Sequence, residues 1–381
     1  MVDSNPKAPA LHVTSEVLPP LYDRWMAELL PGAIPRESRA TCDNCAMVAP
    51  DGEQTGLRNH YFSPAIKCCS YVPTLHNFLV GKVLADHDPA TKLGRATVEK
   101  RIADRVAVTP LGLLKSPIFK LLYEEASVSS FGRNRTLVCP HYLDDGGRCG
   151  VWPYRESTCV TWFCKHVRGE VGFNFWRRSL QRLLAAVEDE LSRWCVLEMN
   201  VGDDTLRNLF SDTPRGREPA DSLTSESLEN RVDGDSYGRL WGTWLGREAE
   251  FYLACGRLVA ELSWSDVLAI SGPEVRVLSQ LTLQAYEQLL SAEVAPALEV
   301  GSMQLVQITR DTARVTTYSE IDPLDLPRSM FEFLHYFDGR PTADALSAIE
   351  SEQGVRLDPA LVRKMMDFSL LITPEESGQT D

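Results

Sequence analysis

The sequence has no long hydrophobic run and no leader-like start. None of its segments approaches eighteen consecutive apolar residues, about the length that a helix needs to cross a bilayer. The first ten residues, MVDSNPKAPA, lack the basic start and apolar stretch of a secretory signal. These absences predict no membrane partner and a cytoplasmic location, where thiols stay reduced and clustered cysteines more often bind metal than form disulfides.

Basic side chains are scarce in the second half of the chain. The net charge is −14, and positions 201–381 hold 31 acidic but only 15 basic side chains. Positions 1–200 hold 22 acidic and 24 basic side chains, so the basic surplus accompanies the cysteine motifs. Because a surface that binds nucleic acid needs cations to neutralise phosphates, we predict no nucleic-acid partner.

Eight of the ten cysteines fall before residue 165 and form two groups. The first group is a CxxC motif and a vicinal pair, and the second spans 26 residues; together they are Cys42, Cys45, Cys68, Cys69, Cys139, Cys149, Cys159 and Cys164. Between Cys139 and Cys149, the run Asp144–Gly147 predicts a hairpin turn that folds these two cysteines towards each other. Cys195 and Cys255 lie on the apolar stripes of predicted helices and are predicted to be core residues.

Three interpretations of the eight cysteines are open. Scattered core cysteines are the first, although clustering and polar neighbours weigh against them. Structural zinc is the second, in sites of four thiolates or of three thiolates and an imidazole from His141 or His166. The third, which we favour, is one or two iron–sulfur clusters. In extended backbone, Cys68 and Cys69 would point to opposite faces, which favours two centres.

The second cysteine group resembles the second half of the YkgJ-type cysteine-cluster family. The residues that carry the resemblance are Cys139-Pro140, Leu143-Asp144, Arg148-Cys149, Tyr154-Arg155-Glu156 and Cys159. The first group matches the family's CxxCxxCC half with a long insertion, Glu156 stands where the pattern has proline, and Cys164 is additional. Over about residues 40–170 this resemblance implies a zinc- or iron-chelating domain. Flagellin lysine methylases have similar cysteines, which implies a modification enzyme as one activity, beside an iron–sulfur oxidoreductase.

A second resemblance covers residues 297–373. A predicted hairpin, the run FLHYFDGRPTADAL and a last helix that ends in Leu370-Leu371-Ile372 are similar to PqqD-like peptide-recognition domains. The resemblance implies a peptide or protein partner that adds a strand to the hairpin edge. A plain structural winged helix is the alternative.

Apolar periodicity predicts a mainly α chain with small β elements. We divide it into a cysteine-cluster metal-binding domain (21–200), an acidic linker or long loop (201–236), a helical region (237–296) and a winged-helix-like module (297–373). Long helices are predicted at 174–198, at 237–262 and after Gly272-Pro273, and Thr109-Pro110 predicts a further helix start. In the last module, a hairpin of Met303–Thr309 with Ala313–Tyr318 precedes helices at Pro327–Phe337, Thr342–Glu352 and Pro359–Leu371.

These patterns together predict an iron–sulfur protein that acts in redox chemistry or in peptide or protein modification. Its cofactor would be one or two clusters of the four-iron, four-sulfur type, with the eight clustered cysteines as ligands. The alternative is a non-enzymatic zinc protein in which the metal is structural and the C-terminal module mediates protein interaction.

Overall fold

The computed structural model describes residues 18–39, 45–48, 61–116, 119, 122–123, 130–144, 147–210 and 234–374. The chain is 53% helix and 11% strand, which confirms the prediction of a mainly α fold with small β elements. None of the helices in the described ranges is long and apolar enough to cross a membrane. Cys42 and residues 211–233, which form most of the predicted linker, lie outside the described residues.

The helices are numbered in chain order within these ranges. They are α1 (Pro20–Leu29), α2 (Asn77–Ala85), α3 (Lys92–Ala103), α4 (Ser157–Thr161), α5 (Gly169–Phe173), α6 (Gln181–Glu198), α7 (Asp203–Phe210), α8 (Gly234–Trp241), α9 (Glu248–Ala260), α10 (Trp264–Ile270), α11 (Pro273–Leu290), α12 (Phe331–Leu334), α13 (Thr342–Gln353) and α14 (Pro359–Asp367). A π-helical stretch, Asn174–Leu180, joins α5 to α6.

The strands are short and all of their pairings are antiparallel. They are β1 (Leu75–His76), β2 (Val108–Thr109), β3 (Gly112–Leu113), β4 (Tyr142–Leu143), β5 (Arg148–Cys149), β6 (Ala297–Val300), β7 (Gln304–Ile308), β8 (Thr312–Thr316), β9 (Leu324–Pro327), β10 (Asp338–Pro341) and β11 (Leu371–Ile372). They form the sheets β1-β3-β2, β4-β5, β10-β6-β11 and β7-β8-β9.

The chain forms two compact units, and each is built from three separate stretches. The first unit takes Met1–Pro35, Met47–Thr161 and Gln181–Ser279, and the second takes Arg36–Ala46, Trp162–Leu180 and Gln280–Asp381. The sequence analysis instead divides the chain into consecutive domains. The second cysteine group is therefore divided between the two units, because the boundary at Thr161 separates Cys159 from Cys164.

In the first unit, α2 packs along α9 at a pair of glycines. A Cβ atom at Gly81 would lie 1.9 Å from the carbonyl oxygen of Tyr252, and one at Gly256 would lie 2.9 Å from the carbonyl carbon of Gly81. Only glycine permits such a close approach of two backbones. The side chain of Asn77 also donates to the carbonyl of Ser192 at 2.9 Å, which ties the start of α2 to α6.

Two predicted elements of the first unit are wrong. The helix predicted at 237–262 is broken between α8 and α9, because Gly242 and Gly246 adopt left-handed conformations with φ of 50° and 78°. The predicted helix start at Thr109-Pro110 is the turn of the β2–β3 hairpin. There the Thr109 hydroxyl accepts the N–H of Leu111, so that threonine supports a turn rather than capping a helix.

The second unit ends in two small sheets and the helices α13 and α14. Its core includes Leu298, Val315, Phe337, Ile349 and Met365. The predicted hairpin is confirmed as β7–β8, but the sequence analysis missed the third strand, β9, which pairs with β8. Most of the helix predicted at Pro327–Phe337 is absent, since Pro327 ends that strand and only the short α12 follows the turn Arg328–Met330.

Replacing Gly81 with alanine is expected to destabilise the first unit. The added methyl would collide with the carbonyl of Tyr252, and overpacking of this kind costs about 1–3 kcal/mol. Gly238→Ala is the matched control, because its nearest neighbour is a leucine methyl at 3.7 Å, and alanine in a helix is favoured over glycine by about 0.5–1 kcal/mol. Urea unfolding of both variants checks this, and a Gly81→Ala protein as stable as wild type would show that the helices do not approach so closely.

Candidate metal centre

Cys139 begins a tight turn whose backbone supports its sulfur. The N–H of His141 donates to Cys139 Sγ at 3.4 Å, and the N–H of Tyr142 donates to the Cys139 carbonyl at 3.0 Å. Tyr142 then pairs with Cys149 in the β4–β5 hairpin, which confirms the predicted turn. Burial, followed by the charge of Cys149, raises the pKa of Cys139 to about 12, so the two thiols lie within electrostatic range of each other.

Cys68 and Cys69 lie in a turn that is joined to Cys139. The N–H of Cys139 donates to the Cys69 carbonyl at 2.7 Å. A hydrogen bond between the two neighbouring thiols, followed by burial, raises the pKa of Cys68. The prediction that these side chains point to opposite faces is wrong, because it assumes an extended backbone and residues 64–70 form turns.

Cys159 lies on α4, which begins at a glutamate cap. The Glu156 carboxylate accepts the N–H groups of Thr158 and Cys159 at 2.6 and 3.0 Å. It thereby satisfies the first donors of the helix. Burial, and then the charges of Glu156, Cys139 and Cys149, raise the pKa of Cys159. The thiols of Cys139, Cys149 and Cys159 therefore interact with one another.

Three arginines near these thiols have no carboxylate partner among the described residues. Arg101 is buried, with 6% of its surface exposed, and its guanidinium donates to the carbonyls of Leu114 at 2.7 Å and Val106 at 3.4 Å and to His141 Nε2 at 3.4 Å. Its Nε atom has no hydrogen-bond partner within the described ranges. Burial lowers the pKa of Arg101, and the negative charge that opposes this most is that of Cys139.

Arg155 and Arg148 also lie near the cysteines and have no carboxylate partner among the described residues. Arg155 donates to the carbonyls of Trp152 and Cys159 at 3.1 and 3.0 Å, and its guanidinium lies 3.5 Å from the centre of the Trp152 ring. Its charge acts to lower the pKa of Cys68. The Nε atom of Arg148, on β5 beside Cys149, is buried and has no hydrogen-bond partner in the described part of the chain.

Arginines elsewhere in the chain do find carboxylates. Arg168 pairs with Asp367 at 2.6 Å, Arg314 with Asp325 at 2.7 Å and Arg340 with Asp338 at 2.6 Å. In the described ranges, none of the three arginines around the thiols has a carboxylate within ion-pair distance. Among the described residues, the charges of these three arginines are therefore not offset by a nearby carboxylate.

The sequence analysis missed a buried carboxylate that holds the Cys159 helix in place. Glu188 on α6 accepts the N–H and the hydroxyl of Ser157, both at 2.7 Å, and the hydroxyl of Tyr22. His76 Nδ1 lies 3.8 Å from Glu188, and its Nε2 lies 3.2 Å from Asp189. No local pattern indicates this network, because Ser157 and Glu188 are 31 positions apart.

The Glu188–His76 pair is expected to make stability depend on pH. Burial raises the pKa of Glu188 from 4.5 to about 7, although the charge of His76 opposes this. Burial lowers the pKa of His76, but Asp189 and Glu188 outweigh it, so that this pKa also lies above its ordinary value of 6.5. Both groups bind protons more tightly when folded, so their stabilisation is complete at low pH and is lost as the pH rises through these values.

Glu188→Gln, which resembles the protonated carboxyl, should flatten the fall in unfolding free energy between pH 4.5 and 8 by about 1–3 kcal/mol. Urea unfolding across this pH range measures the slope. Glu198→Gln, at an exposed carboxyl of the same helix, is the control and should keep the wild-type profile. Parallel profiles for wild type and Glu188→Gln would contradict the assignment.

The eight predicted ligands are distributed as follows. Cys68, Cys69, Cys139, Cys149 and Cys159 lie in the first unit, Cys45 and Cys164 in the second, and Cys42 outside the described residues. Cys195 and Cys255 are fully buried, which confirms them as core residues. In the part of the chain that the structure describes, no three His, Cys, Asp or Glu side chains converge on a point that could hold one ion. The convergence of all eight cysteines therefore stays a prediction.

The donors present fit a thiolate centre in their chemistry. They are buried or half-buried thiols, and near them lie the buried Arg101 and the half-buried Arg148 and Arg155, for which no carboxylate partner is found among the described residues. No protein-family model, curated protein or solved structure matches the chain.

Proposed function

We propose that this chain binds one or two iron–sulfur clusters, of the four-iron, four-sulfur type, through its clustered cysteines. The activity that we propose is redox chemistry or the modification of a peptide or protein, in the cytoplasm. The two resemblances, to YkgJ-type domains and to PqqD-like modules, are part of this proposal. The ligands would be drawn from Cys42, Cys45, Cys68, Cys69, Cys139, Cys149, Cys159 and Cys164.

The buried guanidinium of Arg101 is the observation that carries the proposal. A buried charge is costly unless it is paired, and Arg101 has carbonyls and an imidazole as neighbours but no described carboxylate. Cys139 is the acidic side chain whose charge acts on it most. A neutral thiol would leave the cation without a countercharge, whereas a metal-bound thiolate would supply one.

Thiolate-bound metal centres are anionic, since the ligand charges exceed those of the metal. Arg101, Arg148 and Arg155 would offset that charge, and Arg155 donates to the carbonyl next to one ligand sulfur, that of Cys159. The N–H of His141 donates to Cys139 Sγ at 3.4 Å and would also offset the negative charge of that sulfur. Hydrogen bonds to ligand sulfurs and nearby charges tune such centres. Glu156 acts in the opposite sense, but its carboxylate is already engaged in capping α4.

Structural zinc is the competing proposal for the same thiols. Four thiolates around zinc are also anionic, so the arginines accommodate either metal. Light absorption separates the two, because iron–sulfur clusters are coloured and a zinc site is colourless. The zinc alternative describes a protein in which the metal holds the fold and residues 297–373 mediate protein interaction.

The C-terminal strands support a peptide or protein partner. Every residue of β7 is exposed, including Leu305 at 55% and Ile308 at 57%. Strand β7 is an edge of the sheet β7-β8-β9, and no described strand pairs with its outer side. Residues 297–381 hold 15 acidic and 7 basic side chains, so a basic, extended peptide is the partner that this edge would favour, and nucleic acid would be disfavoured.

Cys149→Ala is expected to lose metal and to destabilise the chain, because metal binding is coupled to folding. Cys195→Ala and Cys255→Ala should keep the metal and lose only about 1–3 kcal/mol of packing energy, since both residues are core thiols. Anaerobic purification followed by iron, sulfide and zinc analysis and an absorption spectrum measures the difference. Equal metal loss in all three variants, or a wild-type chain without metal, would refute the proposal.

The outer edge of β7 is expected to be open in the full-length chain. The N–H of Thr309 donates to Thr312, and because donors alternate along an antiparallel strand, the N–H of Ile308 faces away from β8. Hydrogen exchange should therefore be fast at Ile308 and slower at Gln307 and Thr309. Strong protection at Ile308 in the free chain would mean that the edge is already covered, which would argue against a strand-adding partner.

A further inference from the structure

Two histidines adjoin the cysteines, and their ring nitrogens are in different situations. His141 and His166 are both buried, with 0% and 2% of their surfaces exposed. His141 belongs to the first unit and His166 to the second. Each was a possible imidazole ligand from the sequence, being two residues from a clustered cysteine.

The two nitrogens of His141 are both satisfied by protein groups. The Thr97 hydroxyl donates to the Gly94 carbonyl at 2.6 Å, so its oxygen accepts from Nδ1 of His141, 2.7 Å away. That leaves the lone pair on Nε2, where Arg101 donates at 3.4 Å. A guanidinium can only donate, so the Nε2 lone pair of His141 is already occupied.

The same reasoning fixes the tautomer of His166. The Tyr318 hydroxyl donates to the Asp322 carboxylate, so its oxygen accepts from Nδ1 of His166, which lies 3.4 Å away. Asp322 is held in place by Arg39 at 3.1 Å and by the backbone N–H of His166 at 3.1 Å. With its proton on Nδ1, the ring carries its lone pair on Nε2.

This lone pair is buried and has no hydrogen-bond partner among the described residues. A neutral imidazole with a free Nε2 is the form that binds metal. Metal-bound histidines usually donate their other nitrogen to a fixed acceptor, which is what Tyr318, Asp322 and Arg39 provide here.

We propose that Nε2 of His166 is an imidazole ligand to a borderline-soft cation such as Zn²⁺ or an iron of a cluster, with the thiolate of Cys164 as its nearest companion ligand. Cys164 is buried and lies two residues before His166 in the same unit. Both donor types suit these metals and suit Mg²⁺ or Ca²⁺ poorly. The inference rests on the proposed function, because it assigns a further ligand to the proposed metal chemistry.

The first test looks for histidine nitrogen on the metal in the intact chain. Full-length protein labelled with ¹⁵N-histidine is purified anaerobically, and cluster-containing protein is reduced, or zinc protein is exchanged with Co²⁺, to give a paramagnetic centre. Pulsed electron paramagnetic resonance should then detect coupling to one imidazole nitrogen. The coupling should persist in His141→Ala and in His87→Ala, whose histidine is exposed, and should vanish in His166→Ala.

Metal content gives the second readout. His166→Ala should lose one metal ion, or the occupancy of one cluster, per chain, and His166→Cys should restore it by supplying a thiolate. Tyr318→Phe should weaken metal binding by about 10-fold, because it removes the oxygen that accepts from Nδ1.

The possible outcomes separate this inference from the proposed function. Metal bound without histidine coupling in the wild-type chain overturns the inference alone, and would mean that water satisfies Nε2. Wild-type metal content and undiminished coupling in His166→Ala also overturn it. A wild-type chain that holds no metal after iron and sulfide reconstitution, or after addition of Zn²⁺ or Co²⁺, overturns both. If neither variant at position 166 folds, the coupling in wild type and in His141→Ala decides, since its absence there refutes the assignment.

Discussion

The account depends on the charge of one buried guanidinium. Arg101 has 6% of its surface exposed, and its neighbours are two carbonyls and the imidazole of His141. Neutral acceptors lower the cost of burying a cation, but they do not neutralise it. Since the opposing negative charge that acts on it most is that of Cys139, the protonation state of this thiol and the burial of Arg101 are coupled. A metal would favour the thiolate, and the thiolate would in turn stabilise the cation.

The surrounding fold places backbone donors and caps around these thiols. The turn at Cys139 presents the N–H of His141 to the sulfur, and the β4–β5 hairpin brings Cys149 alongside. Helix α4 presents Cys159 and is held at its start by Glu156 and by Glu188 of α6. The cysteines therefore lie on short, separately anchored segments rather than on one long helix. Because the anchors come from several parts of the first unit, movement of one segment would alter the whole group.

The spacing of apolar residues correctly predicts helices that local sequence alone determines. The stripe of Val187, Leu191 and Cys195 indicates a helix, and all three side chains are fully buried on α6. Local pattern fails where a few residues permit two conformations. Thr109-Pro110 can begin a helix or a turn, and the pairing of β2 with β3 decides for the turn; the left-handed glycines 242 and 246 likewise divide one predicted helix into two.

The candidate site is predictable in its residue types but not in its partners. The clustering of cysteines and the two adjacent histidines are visible in the sequence. The sequence does not show which of the two histidines has an unoccupied ring nitrogen. That difference depends on distant contacts, because His141 is fixed by Thr97, 44 positions away, and His166 by Tyr318, 152 positions away. The arginines are visible as a basic surplus, but their lack of carboxylates emerges only from the tertiary structure. The capping role of Glu156 and the network of Glu188 are hidden for the same reason, since both depend on which backbone donors the carboxylates meet.

X-ray absorption at the iron and zinc edges of the anaerobically purified, full-length chain tests the central claim most directly. The account predicts a metal whose first coordination sphere is dominated by sulfur, with a short iron–iron distance if the centre is a cluster. It also predicts that Cys139 and Cys149 resist a thiol reagent until the metal is removed. Edges at the level of the buffer, together with rapid reaction of both thiols in the native chain, would contradict it.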